Sequence, residues 1–185
     1  MLTIYIIGIC IVIYILKLFF PQIFIYLAFW PQLFIKYPWQ IITSIFVHST
    51  ITHLLFNMFV LFIFGLSLER LIGSKRFLFL FLASGIFGNI AYLFYSILTN
   101  SYFPVVGASG AIYGILGTLA ILKPDMKVVI FPLPVPICIR WVILILTLID
   151  IILLPYSEKD RIAHVSHLSG LLFGVAYGYY LKNKF

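Results

Sequence analysis

Six apolar stretches, at roughly residues 2–20, 50–68, 77–98, 107–122, 137–154 and 162–181, divide this chain, and most of its charges sit between them or at their ends. At a rise of about 1.5 Å per helical residue, a run of about 20 apolar residues matches the hydrocarbon thickness of a bilayer. The pattern therefore predicts an all-α integral membrane protein, a bundle of six helices (spans one to six) forming a single domain over residues 1–185. Composition agrees, because 64% of the 185 residues are hydrophobic and only 9% are charged, too few polar groups to cover a water-soluble core. The first stretch is long enough to span and ends in no small-residue cleavage site, so it reads as a retained helix. Residues 21–50 hold three prolines yet stay apolar, which suits an interfacial loop between spans one and two. The central fourth span is short, about 24 Å for its 16 residues. Its outer end must therefore start below the membrane surface.

Twelve lysines and arginines against five acids give a net charge of +7. The basic residues stand singly or in pairs between apolar runs and form no stripe, so they orient the protein in a membrane and do not point to nucleic acid. Arg70, Lys75, Arg76, Lys123, Lys127, Arg140, Lys182 and Lys184 fall on one side, and Lys17, Lys36, Lys159 and Arg161 on the other. That excess places both termini in the cytoplasm, in a multi-pass protein expected in the cell membrane with the lipid bilayer as its surroundings. Cys10 and Cys138 lie in separate apolar segments, without metal or disulfide spacing, and read as packing residues. No internal repeat is evident.

Depth brings the polar residues together. Span two, entering from outside, carries His53 and, four residues on and so on the same face, Asn57. Span six also enters from outside and holds His167 roughly 8 Å down. Ser109 lies in the first turn of the submerged span four. Topology alone thus collects a hydroxyl, two imidazoles and an amide in one layer of the outer third. Polar groups inside a membrane are costly and face a bundle interior or a wet cavity, so this layer marks a functional site. The segment 100–106 must dip inward without helical hydrogen bonds, which requires that it be wrapped in protein or line water.

Glycines explain how the serine could reach a partner. Gly107, Gly110, Gly114 and Gly117 in span four match Gly170, Gly174 and Gly178 in span six, small ridges that let two backbones approach closely. The glycines around Ser109 also leave first-turn N–H groups open toward a developing oxyanion, with the positive end of the helix dipole behind them.

With these residues in view, the chain resembles the rhomboid intramembrane serine proteases in their minimal six-transmembrane-helix form. The likeness rests on GASG at 107–110, HSTITHLLFN at 48–57, LERLIGSKRF at 68–77, HLSGLLFG at 167–174 and PWQ at 38–40. It implies an endopeptidase that hydrolyses peptide bonds in or near transmembrane segments of other membrane proteins, which are its partners. Ser109 would be the nucleophile and His167 the general base, a dyad without a carboxylate. The resemblance further implies that His53, Asn57 and the Ser109 backbone N–H form an oxyanion hole, and that Tyr113 packs on the His167 imidazole. His48 would support the site from beneath, and Phe56 and Trp141 would border a lateral gate. No cofactor is implied. The chain departs from the family at Trp39-Gln40, where many members have Trp-Arg, and at Leu71, where some carry a second arginine.

The same residues admit rival readings. Four histidines suggest a metal site, but His-Glu-x-x-His is absent and no carboxylate is expected to accompany them, so no metal is expected. Of His164 and His167, only the latter has Gly170 and Gly174 behind it; His164 is expected near the rim, where its loss leaves much of the activity. Asp150, near the outer end of span five, could be a third member of a triad but reads more simply as an interfacial acid capping that helix end, and Glu69 with Arg70 as a structural cluster bonding the backbone of the cytoplasmic turn. A non-catalytic rhomboid-like protein that binds membrane segments would lack the serine or the histidine, and this chain has both. A small transporter would show inverted repeats or broken helices in matching halves.

Overall fold

The computed structural model describes residues 1–130 and 133–184. Its main helices are α1 (Leu2–Phe19), α2 (Ile51–Ile72), α3 (Ser74–Thr99), α4 (Ser109–Leu122), α5 (Ile139–Leu153) and α6 (His164–Lys182). Among the described residues, four helical segments, Leu2–Phe19, Ile51–Ile72, Ser74–Thr99 and Ile139–Asp160, are long and apolar enough to cross a membrane, whereas α4 is shorter. The protein is therefore a helical membrane protein. Spans two and three run further than expected: α2 and α3 are separated only by Gly73, whose φ of +83° is one that glycine adopts at no steric cost.

Most of α4 is buried, from Gly110 through Leu119 apart from Tyr113, with α3 and α6 packed along it. Where α4 meets α6 there is no room for side chains: a methyl group at Gly170 would overlap the carbonyl oxygen of Gly110, and one at Gly174 that of Gly114. The Thr118 hydroxyl closes the seam by donating to the Gly174 carbonyl at 2.8 Å. At its far end α2 holds α1 in place. Glu69 accepts from the backbone N–H groups of Leu2 (2.6 Å) and Thr3 (2.9 Å), and from the hydroxyls of Thr3 and Ser74. It thus caps the first turn of α1, where orphan N–H groups need acceptors, and is more than a fastening of its own turn.

The first loop folds as short helical turns at Ile23–Leu27, Pro31–Leu33, Gln40–Thr43 and Ser44–Phe46. Gln40 is fully buried and holds the loop by both ends of its amide. Its Oε1 accepts from the Trp30 N–H at 3.1 Å and its Nε2 donates to the Ile25 carbonyl at 2.8 Å. The loop in turn covers the segment leading into α4. Phe29 and Val105 form an antiparallel bridge, Tyr92 donates to the Phe103 carbonyl at 3.0 Å, and Ser101, Phe103 and Val105 are buried. Protein thus covers alternate residues of this non-helical segment, while Tyr102 stays exposed.

A β-hairpin stands where the apolar pattern predicts the loop and the first turn of span five. β1 (Lys127–Ile130) and β2 (Leu133–Cys138) pair antiparallel, with Lys127 opposite Cys138. The expected start of span five at residue 137 is therefore strand, and α5 begins at Ile139. Val128, Val129, Val135 and Ile137 favour extended backbone, while Pro134 and Pro136 bar a helix through their positions. Cys10 packs in the core as expected, but Cys138 is only partly buried and accepts a hydrogen bond from the Lys127 ammonium.

Candidate active site

The hydroxyl of Ser109, the first residue of α4, lies 2.8 Å from Nε2 of His167 on α6. Both residues are half-buried. The contact spans 58 residues of sequence and depends on the glycine seam, since a short serine side chain bridges two helices only if their backbones nearly touch. Beneath it the Tyr113 ring stacks on the His167 imidazole, with centroids 4.5 Å apart and planes inclined by 12°. This stacking restricts how the imidazole can turn.

The remaining residues expected in the layer gather on the α2 side. Thr50 caps α2 by accepting from the His53 N–H at 3.1 Å, and Ser49 meets His53 Nδ1 at 3.2 Å. Gly107, with φ +113°, passes directly under the imidazole; a Cβ there would lie 2.7 Å from Cε1 and Nε2 of His53. Only glycine combines that dihedral with that clearance. Asn57 is buried, and its Nδ2 donates to the His53 carbonyl at 2.8 Å. An amide nitrogen carries two N–H groups, so one is left after this bond. His48 is fully buried with its ring edge-on to His53 at 5.1 Å, and its carbonyl accepts from the Lys17 ammonium at 2.7 Å. Gly110, Gly170 and Gly174 all lie in the seam. Phe56 and Trp141 are exposed on the outer faces of α2 and α5.

Two expectations are overturned. Asp150 caps no helix end: it is buried, and its Oδ1 lies 3.1 Å from Nδ1 of His167 and 2.5 Å from Nδ1 of His164. His164 is not at a rim but 2% exposed, with Nε2 at 3.0 Å from Oδ2 of Asp160. Carboxylates do accompany these histidines: Asp150 from α5, 14 and 17 residues back, and Asp160, four residues before His164. The signal for the first was present, because Asp150 follows Ile143 by seven residues and so continues the stripe of α5 that buries Ile139, Val142 and Ile143. Asp150, His164 and His167 bring three ligand atoms within 4.8 Å of one another, ligand types that zinc accepts. Those same atoms are already bonded among themselves, which accounts for the cluster as a hydrogen-bonded group.

A helical membrane protein with a serine hydroxyl on an imidazole nitrogen is the class defined by this fold and site. The sequence matches the Rhomboid domain over residues 36–184, and the chain belongs to the rhomboid family. It is similar to the mitochondrial Rhomboid protein 1 of Saccharomyces cerevisiae, with 34% identity over 145 residues, covering 77% of this chain and 42% of that protein. It is similar also to the Rhomboid protease GluP of Bacillus subtilis, with 46% identity over 81 residues, 44% of this chain and 15% of that one. Presenilin-associated rhomboid-like protein A, mitochondrial, of Danio rerio is 33% identical over 139 residues, 74% of this chain and 36% of its own length. The chain spans less than half the length of these relatives.

Proposed function

We propose that this chain is an intramembrane serine endopeptidase that cuts other membrane proteins in or near their transmembrane segments. The observation that carries the reading is the 2.8 Å approach of the Ser109 hydroxyl to His167 Nε2, the geometry a nucleophile and its general base require. In this reading the six helices are six crossings of a cell membrane, with both termini cytoplasmic and the short α4 sunk beneath the outer surface. Neutral His167 takes the Ser109 proton as Oγ attacks the substrate carbonyl, and returns it to the leaving amine when the tetrahedral adduct collapses. The Ser109 N–H, the remaining Asn57 N–H and His53 face the oxyanion. Each such donor is worth on the order of 10²–10³ in rate. A carbonyl inside an intact helix is bonded and shielded, so the substrate segment must unwind where it is cut.

Purified protein in detergent is expected to cleave a model single-span substrate, and Ser109→Ala and His167→Ala are each expected to abolish cleavage while keeping the wild-type thermal midpoint. Undiminished cleavage by either variant would overturn the assignment. A protein that binds membrane segments without cutting them is the outcome if the wild type itself is inert.

A further inference from the structure

Asp150 links two imidazoles through one oxygen, and His164 in turn faces two carboxylates. Nδ1 of His164 meets Asp150 Oδ1 at 2.5 Å, and Nε2 meets Asp160 Oδ2 at 3.0 Å. An ionised carboxylate only accepts, whereas a neutral imidazole donates from one nitrogen alone. Satisfying both contacts with ionised acids therefore requires both His164 nitrogens to carry hydrogen, which makes the ring an imidazolium. That charge is what a carboxylate as buried as Asp150 needs in order to stay ionised away from water. With Asp150 ionised, the 3.1 Å contact to His167 Nδ1 can be made only if that nitrogen is the donor. The lone pair of His167 then falls on Nε2, toward Ser109.

We infer that Asp150, held ionised by His164 and Asp160, is a positioning residue that turns the Ser109–His167 pair into a three-membered relay with a charged anchor behind it. The inference rests on the proposed roles of Ser109 and His167. As the Ser109 proton moves to His167 Nε2, Asp150 gains an imidazolium neighbour and keeps no proton itself; the charge formed on the ring is met by a carboxylate already in place. The Tyr113 phenol neighbours Asp150, and His53 on α2 is close enough for its charge to act on His167. The groups able to influence its protonation are therefore Asp150, His164, Asp160, Tyr113 and His53.

The test is steady-state cleavage of a single-span substrate between pH 5 and 9 by the full chain and by Asp150→Asn and His164→Gln. Asp150→Asn is expected to lower kcat on the order of 10²-fold or more, with KM within about twofold, and to move the acid limb of kcat to lower pH. The sign follows because an imidazolium without its carboxylate loses its proton more readily. His164→Gln is expected to give a smaller fall in kcat. Wild-type kcat and an unmoved acid limb in Asp150→Asn, while Ser109→Ala and His167→Ala are inactive, would overturn the inference and leave the proposed function standing. Should Asp150→Asn not fold, histidine ¹⁵N spectra of the wild type decide the matter without cleavage. His167 is expected as the Nδ1–H tautomer and His164 as doubly protonated at pH 7; a neutral His164, or a His167 proton on Nε2, overturns the relay.

Discussion

Burial holds the His48 side chain at a pKa of about 3, with the charges of His53 and Lys17 adding to the effect and the Phe46 backbone opposing it. In the unfolded chain the same ring titrates near 6.5. The folded state thus refuses a proton that the unfolded state accepts, so the stability His48 contributes is whole above about pH 6.5 and is lost as pH falls toward 3. The thermal midpoint is expected to drop between pH 7 and 5, and His48→Gln to flatten that dependence; an equally steep drop in the variant would place the acid sensitivity elsewhere. At this scale the sequence was informative where spacing and residue type coincide. Ser109 between glycines, and His167 three residues before Gly170, could be paired without coordinates because the seam they imply has one register. For Asp150 the spacing from Ile143 marks a buried face of α5 but not the residues which that face meets, and those decide between a cap and a partner for His167.

Among the elements, the α4–α6 pair is the one whose packing sets the geometry of the site. A methyl group at Gly174 runs into the backbone of Gly114, and backbone does not move aside as the tip of a side chain does. Gly174→Ala is expected to cost about 1–3 kcal/mol of stability and to lower cleavage by drawing Ser109 and His167 apart. Gly8→Ala in α1, where nothing lies within 4 Å of the added carbon, provides the contrast. It is expected to leave activity alone and to raise the thermal midpoint slightly, because alanine is the better helix former. Equal effects from the two substitutions would show that the seam is looser than its contacts indicate. Hydropathy located all six main helices but misjudged their ends. Apolar strands and apolar helices look alike by composition, and only the prolines at 134 and 136 separated β2 from the helix that follows it.

For the whole molecule, charge and topology make a joint statement. If each of the six main helices is a crossing, eight basic residues fall on the side of the α2–α3 turn and the β-hairpin against four on the other, so a fluorescent protein fused after residue 184 is expected to fluoresce in the cytoplasm and an alkaline phosphatase fused there to stay inactive. Active phosphatase would invert the orientation. That bias was readable from sequence because it is a sum over many residues, and no single contact decides it. Joining α5 to the site was not readable, because it takes a three-dimensional arrangement to bring residue 150 beside residues 164 and 167. The bare backbone contact between α4 and α6 has a last consequence, for how such a molecule could change over generations. Bulk cannot be added where the two proposed reactive groups are mounted, so any drift toward new targets has to be written on α2, α5 and the first loop, around a centre that mutation is barred from reshaping.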